Sequence, residues 1–203
     1  MKHWIIYFII NKFITSVILF MAKFDVKIEN IVASITIGKP IPIANLLEKN
    51  EEIEYEPEQF PGLVYRMKQP KAAALIFNSG KIICTGSRSM EDLQRAVRKI
   101  LQLLRSAGVN ARNPKINIEN VVGSTKFKGE IDLNELAWEL ENSEYEPEQF
   151  PGLVYRKDKP KVAFLIFRSG KVICTGGKSI EEVKREIKNL YNMLKKSKAA
   201  DIE

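Results

Sequence analysis

Shifted by ninety residues, the chain aligns with itself without a gap from about Phe24 onward. Ile28-Glu29-Asn30-Ile31-Val32 falls on Ile118-Glu119-Asn120-Val121-Val122, and Cys84-Thr85-Gly86 falls on Cys174-Thr175-Gly176. The stretch EYEPEQFPGLVYR, Glu54 to Arg66, returns letter for letter at Glu144 to Arg156. Two tandem copies are too few for an open solenoid, so a closed pair sharing a core is expected. The predicted organisation is an apolar extension over residues 1–22, a first repeat over 23–112 and a second over 113–203.

Within each repeat the periods are readable. Val26 to Ile37 alternates in β-rich composition and predicts a strand. Ile43 to Glu52 reads as a short helix after Pro40 and Pro42. Leu63 to Met67, Lys71 to Phe77 and Lys81 to Thr85 read as strands, with Asn78-Ser79-Gly80 as the turn between the last two. Ser89 then caps a long helix, with Asp92 as a capping-box variant. Its apolar stripe is Leu93, Val97, Ile100, Leu101 and Leu104. The second copy repeats this with Ser179, Glu182, Val183, Ile187, Leu190, Tyr191 and Leu194. The class is α+β: a curved antiparallel sheet with helices on one face.

Alternation then sorts the side chains by face. Ile31, Ala33, Ile35, Ile37, Ala74, Ile76, Ile82 and Cys84 suit helix packing. Asn30, Val32, Ser34, Thr36, Leu75, Phe77, Ile83 and Thr85 look the other way, as do Asn120, Val122, Ser124, Leu165, Phe167, Ile173 and Thr175 in the second copy. That second face is apolar with small polar groups and carries no charge in its central strands. No third long helix remains to cover it, so it reads as a binding surface.

The formal charge of +7 favours a polyanionic ligand, nucleic acid before anionic membrane. Asn and Thr can address the acceptors of a minor groove. Phe60 with Phe77, and Phe150 with Phe167, would act as apolar wedges. Arg66, Lys81 and Arg88, with Arg156, Lys171 and Lys178, can take phosphates around the rim. An enzyme is disfavoured: the repeats contain no histidine, no metal-ligand cluster and no activated nucleophile, so no cofactor or metal is expected. Cys84 and Cys174 read as small buried hydrophobes in a reducing compartment. The extension MKHWIIYFIINKFITSVILF is apolar, but Asn11-Lys12 splits it into runs too short to span a bilayer singly. It reads as an upstream misassignment of the start, with Met21 as the true beginning; an anchor or an imperfect signal segment is the other reading.

IENIVAS with IENVVGS, the two EYEPEQFPGLVYR copies, and LIFNSGKIICTG with LIFRSGKVICTG together resemble the TATA-binding protein family in its archaeal form. The resemblance covers the chain from about Phe24 to the last helix. It implies a ten-stranded saddle of two pseudo-symmetric halves, helices on the convex side, seated on an opened minor groove. By it, Asn30 and Asn120 read the central base pairs and the four phenylalanines wedge the two ends. Val32, Val122, Leu75, Leu165, Ile83, Ile173, Thr85 and Thr175 would line the floor. The repeated stretch becomes the stirrup of each half, and Glu146, Glu148 and Gln149 become candidates for contact with transcription factor B, through which RNA polymerase is recruited. A cytoplasmic, nucleoid-associated factor is implied, with no membrane partner. The family has no counterpart of the extension, and this chain lacks the acidic tail of many archaeal members. A sheet of this kind gripping an RNA–DNA hybrid, or docking a protein, stays open as the alternative.

Overall fold

The structure is a computed structural model and describes residues 25–47 and 52–203; the extension, and Glu48 to Glu51 of the expected short helix, lie outside them. The first repeat contributes β1 (Lys27–Thr36), α1 (Ile43–Leu47), β2 (Ile53–Glu54), β3 (Leu63–Met67), β4 (Ala72–Ile76), β5 (Lys81–Ser87) and α2 (Met90–Ser106). The second contributes β6 (Lys115–Lys126), β7 (Gly129–Ile131), α3 (Leu133–Glu139), β8 (Ser143–Glu144), β9 (Gly152–Lys157), β10 (Val162–Phe167), β11 (Lys171–Gly177), α4 (Ile180–Leu194) and β12 (Ala200–Ile202). Ten strands form one antiparallel sheet in the order β2-β3-β4-β5-β1-β6-β11-β10-β9-β8. Under the ninety-residue offset that order is its own mirror image. By contacts, residues 28–123 with 175–183 form one compact unit, and residues 124–174 with 184–203 and 25–27 form the other.

In the first unit α2 covers one sheet face. It buries Leu93, Ala96, Val97, Ile100, Leu103 and Leu104 against a layer that includes Ile31, Ala33, Ile35, Leu63, Ala74, Ile76, Ile82 and Cys84. The stripe differs from expectation in that Ala96 joins it and one leucine changes. Leu103 is buried where Leu101 was expected, and Leu101 is half-buried. Counting back from Leu103 shows why, since the residues three and seven before it are Ile100 and Ala96, both on the buried face.

Both long helices start on a serine. The Ser89 hydroxyl accepts the Asp92 N–H at 3.0 Å, and Ser179 accepts the Glu182 N–H at 3.0 Å. The acid at the third position reaches back past the cap only in the second repeat, where Glu182 accepts the N–H of Lys178, the residue before Ser179, at 2.7 Å. Asp92, one methylene shorter, pairs with Arg95 instead.

The second unit departs from the first beneath its helix. Glu186 sits on the buried face of α4, 2% exposed, where the first repeat has Ala96. The Lys157 ammonium donates to it at 2.5 Å, where the first repeat has the buried Met67. Asn189 and Arg185 complete its shell at 3.3 and 3.4 Å. Burial pushes the Glu186 carboxyl upward, but the donation from Lys157 and Asn189 outweighs it and leaves the pKa below the ordinary carboxylate value. Lys157→Met alone, which strands a buried carboxylate, should cost about 3 kcal/mol, and Glu186→Leu in the same background should recover most of it. The sign with pH follows from the lowered pKa. The pair contributes fully above the unfolded carboxylate value of about 4.3, and its contribution fades as pH falls through the folded one. Thermal unfolding from neutral to acid pH checks both statements; a Lys157→Met protein as stable as its parent would contradict them.

A second, two-stranded sheet pairs β7 with β12, Gly129 opposite Ile202 and Ile131 opposite Ala200. No period or repeat in the chain announces it. The first repeat has Pro40 where β7 has Glu130, and proline brings no N–H to a ladder.

Candidate nucleic-acid interface

The face away from the helices is assembled from rows of cross-strand neighbours. Val64 lies opposite Leu75, Leu75 opposite Ile83, and Ile83 opposite Ser34. The next row runs Arg66, Ala73, Thr85, so a cation enters only at the outer edge. In the other unit Leu165 faces Val154 and Ala163 faces Arg156. Asn30, Val32, Leu75, Phe77, Ile83 and Thr85 are all half-buried, as are Asn120, Val122, Ser124, Leu165, Phe167, Ile173 and Thr175. Val64, Val154, Ala73 and Ala163 belong to this face and were missed, although the same alternation marks them. Ile116 is 44% exposed and shares the parity of Asn120 and Val122 along β6.

One local irregularity sets the polar chemistry of the face. Ala33 pairs with Cys84 but Ile31 pairs with Ser87, so β5 carries one extra residue opposite β1. Gly86, at φ +96°, supplies the bulge that L side chains rarely tolerate. Its N–H leaves the ladder and donates to Asn30 Oδ1 at 2.7 Å. The Thr85 hydroxyl lies 3.1 Å from Asn30 Nδ2, which donates to it. The amide is thereby oriented: its carbonyl is held by the backbone, and Nδ2 keeps a second N–H for a ligand. The second repeat reproduces this. Gly176, at φ +99°, donates to Asn120 Oδ1 at 2.8 Å, and Asn120 Nδ2 donates to Thr175 at 3.1 Å.

Each stirrup is a tight turn. The Gln59 and Phe60 N–H groups both donate to the Glu56 carbonyl, at 3.0 and 2.9 Å. Gln149 and Phe150 do the same to Glu146, both at 2.9 Å. The turn holds Phe60 edge to face with Phe77 at 5.8 Å and 64°, and Phe150 with Phe167 at the same distance and angle. Glu146, Glu148 and Gln149 are exposed at the second turn.

Lys81, Arg88 and Lys171 are exposed. Arg66 donates to both carboxylate oxygens of Glu54, at 3.1 and 3.2 Å, whereas Arg156 lies 3.9 Å from Glu144. Lys178 donates to the Glu119 carbonyl at 2.7 Å. A cleft of about 490 Å³ brings Asn30, Arg66, Thr85 and Arg88 together with Lys71, a cation the sequence reading passed over. Ser34 commits its hydroxyl within the protein. It is 5% exposed and donates to Glu119 at 2.6 Å. That bond, with the nearby Lys178 and Lys81 charges, holds the Glu119 carboxyl below its ordinary value. Among the described residues no group of His, Cys, Asp or Glu could hold a metal ion. Burial pushes the Cys84 thiol up to about 11, far from a nucleophile. No helix among the described residues is long and apolar enough to cross a membrane.

Comparison with known proteins gives one answer. The family described as transcription factor TFIID (or TATA-binding protein, TBP) matches twice, over residues 25–107 and 115–197. The TATA-box-binding protein of Methanothermobacter thermautotrophicus is 51% identical over 165 residues, covering 81% of this chain and 91% of the relative. That of Archaeoglobus fulgidus is 47% identical over 178 residues, covering 86% and 97%. The solved structure of the Methanococcus jannaschii TBP superimposes with a TM-score of 0.78 at 48% identity, covering 85% of this chain and 99% of that one.

Proposed function

This chain belongs to the TATA-binding protein family, general transcription initiation factors and not enzymes that bind TATA-box DNA, and we propose that it reads the minor groove through Asn30 and Asn120. The observation that carries this reading is the fixed amide of each asparagine, which presents a donor beside an apolar floor. An A·T minor groove offers only acceptors, N3 and O2, whereas G·C adds a donor that would oppose the asparagine N–H. Val32, Val122, Leu75, Leu165, Ile83, Ile173, Thr85 and Thr175 line that floor. Ser34 buttresses it through Glu119, and Ser124 stands at the equivalent position. Phe60 with Phe77, and Phe150 with Phe167, wedge base steps and bend the duplex; this family is itself a type case of that mechanism, so the kinking is inherited from the family. Arg66, Lys81, Arg88, Arg156, Lys171 and Lys178 take phosphates and fix position without reading sequence. The exposed Glu146, Glu148 and Gln149 engage transcription factor B, which brings RNA polymerase.

Competition binding tests the groove reading. A TATA duplex in which central A·T pairs become G·C should compete poorly. The same duplex with inosine–cytosine pairs, which lack the guanine amino group, should recover most of the loss. Inosine pairs no better than G·C pairs would remove the asparagines from this role. An RNA–DNA hybrid competing as well as the duplex would favour the alternative reading.

A further inference from the structure

Resting on the wedge assignment above, we propose that Gly62 and Gly152 are positioning residues, whose missing side chains leave the socket in which each phenylalanine pair is set before DNA arrives. Neither glycine has a left-handed φ, unlike Gly86 or Gly176, so backbone conformation does not call for glycine at these two positions. Space does. A Cβ on Gly62 would stand 2.7 Å from Phe60 Cε1, 2.9 Å from Phe77 Cε1 and 3.2 Å from Phe77 Cδ1. A Cβ on Gly152 would stand 2.8 Å from Phe150 Cε1, 3.0 Å from Phe167 Cε1 and 3.3 Å from the Ile166 carbonyl oxygen. Ordinary carbon contacts need about 3.5–4.0 Å, so the rings would have to leave.

The register explains the coincidence. Gly152 is the direct cross-strand partner of Phe167, and Leu63 opposite Ile76 puts Gly62 next to Phe77 in the same way. Cross-strand partners share a face, so any side chain there would occupy the space of the ring. Phe60 and Phe150 are 38% and 39% exposed, yet both pairs keep the same 5.8 Å and 64° arrangement. An exposed ring with no socket would sample several rotamers and lose that order on binding, which weakens affinity.

The test is a double-mutant cycle on the full chain. Gly62→Ala should leave the thermal midpoint close to that of the parent, because its near contacts are ring edges and not backbone. It should reduce the DNA bend measured by energy transfer and weaken affinity by up to about tenfold, the cost of holding a ring off its rotamer. In a Phe60→Ala background, where the closest contact is gone and Phe77 can turn into the vacated space, the same glycine change should cost less. Equal cost in both backgrounds, or an unchanged bend, would overturn the socket. If Phe60→Ala itself leaves the bend unchanged, the wedge assignment falls, and the socket with it; if Phe60→Ala reduces the bend and Gly62→Ala does not, the socket alone falls. Gly152→Ala against Phe150→Ala repeats the cycle independently, should Gly62→Ala fail to fold.

Discussion

Phe167→Ala is expected to lower affinity for a TATA duplex about a hundredfold and to reduce the bend, while leaving A·T preference nearly intact. Separating a base step costs a few kcal/mol, a figure that already rests on minor-groove binders of this family, and the inserted ring is what offsets it. A hundredfold is about 2.7 kcal/mol, the same order as one unstacked step. Phe150 remains but loses its edge-to-face partner at 5.8 Å. The asparagine amide does not depend on the ring for its orientation: Asn120 is held by Gly176 and Thr175. If the asparagines read the groove and the rings bend it, the two functions should separate in one variant. Phe167 is half-buried, so a small drop in thermal midpoint should accompany the change. An unchanged bend angle by energy transfer would show that the ring is not a wedge. Loss of A·T preference along with the bend would show that the two functions share residues.

Much of this was legible in the sequence because it depends on period and repetition. Two-residue alternation separated Ala74, Ile76, Ile82 and Cys84 from Leu75, Phe77, Ile83 and Thr85, and burial divides them in the same way. The repeat doubled every such observation, which is why the residues of the open face could be named in pairs. What escaped depends on contacts far apart in the chain. Ser34 shares parity with Asn30 and Val32, yet its hydroxyl is spent on Glu119, eighty-five residues away. Nothing local to β1 announces that partner.

The bulge escaped for a different reason. Thr85-Gly86 and Thr175-Gly176 carried a visible sign, a glycine inside a strand, but glycine there can mean a bulge or a close backbone approach. Only the register showed that its N–H turns to the asparagine carbonyl. Glu186 was hidden by its type. A carboxylate among the apolar positions of α4 reads as a solvated interruption, and its partner Lys157 lies on another element, where the first repeat has methionine. The two substitutions make sense only together.

Charge reversal at Glu146 and Glu148 should abolish recruitment of transcription factor B while sparing binary DNA binding; reversal at Glu56 and Glu58 should leave recruitment largely intact. The stirrups are identical in sequence from Glu54 to Arg66 and from Glu144 to Arg156, and their turns close on the same carbonyl bonds. A pseudo-symmetric reader on a degenerate A·T groove has little basis for choosing a direction. Direction must come from a partner that distinguishes the stirrups, and that partner can use only what differs around them. Met67-Lys68-Gln69 follows the first and Lys157-Asp158-Lys159 the second. Behind the second, Trp138 stands 92% exposed on α3, and the Ser143 hydroxyl ties the end of that helix to the root of β8 by donating to the Leu140 carbonyl at 2.8 Å. On the proposed reading, the acidic side chains would supply the shared handle and these neighbours would decide which handle is gripped. Mobility shifts on a single promoter, with and without the factor, compare the two reversals directly. If both reversed proteins recruit it equally well, or both fail, selective engagement of the second stirrup is wrong.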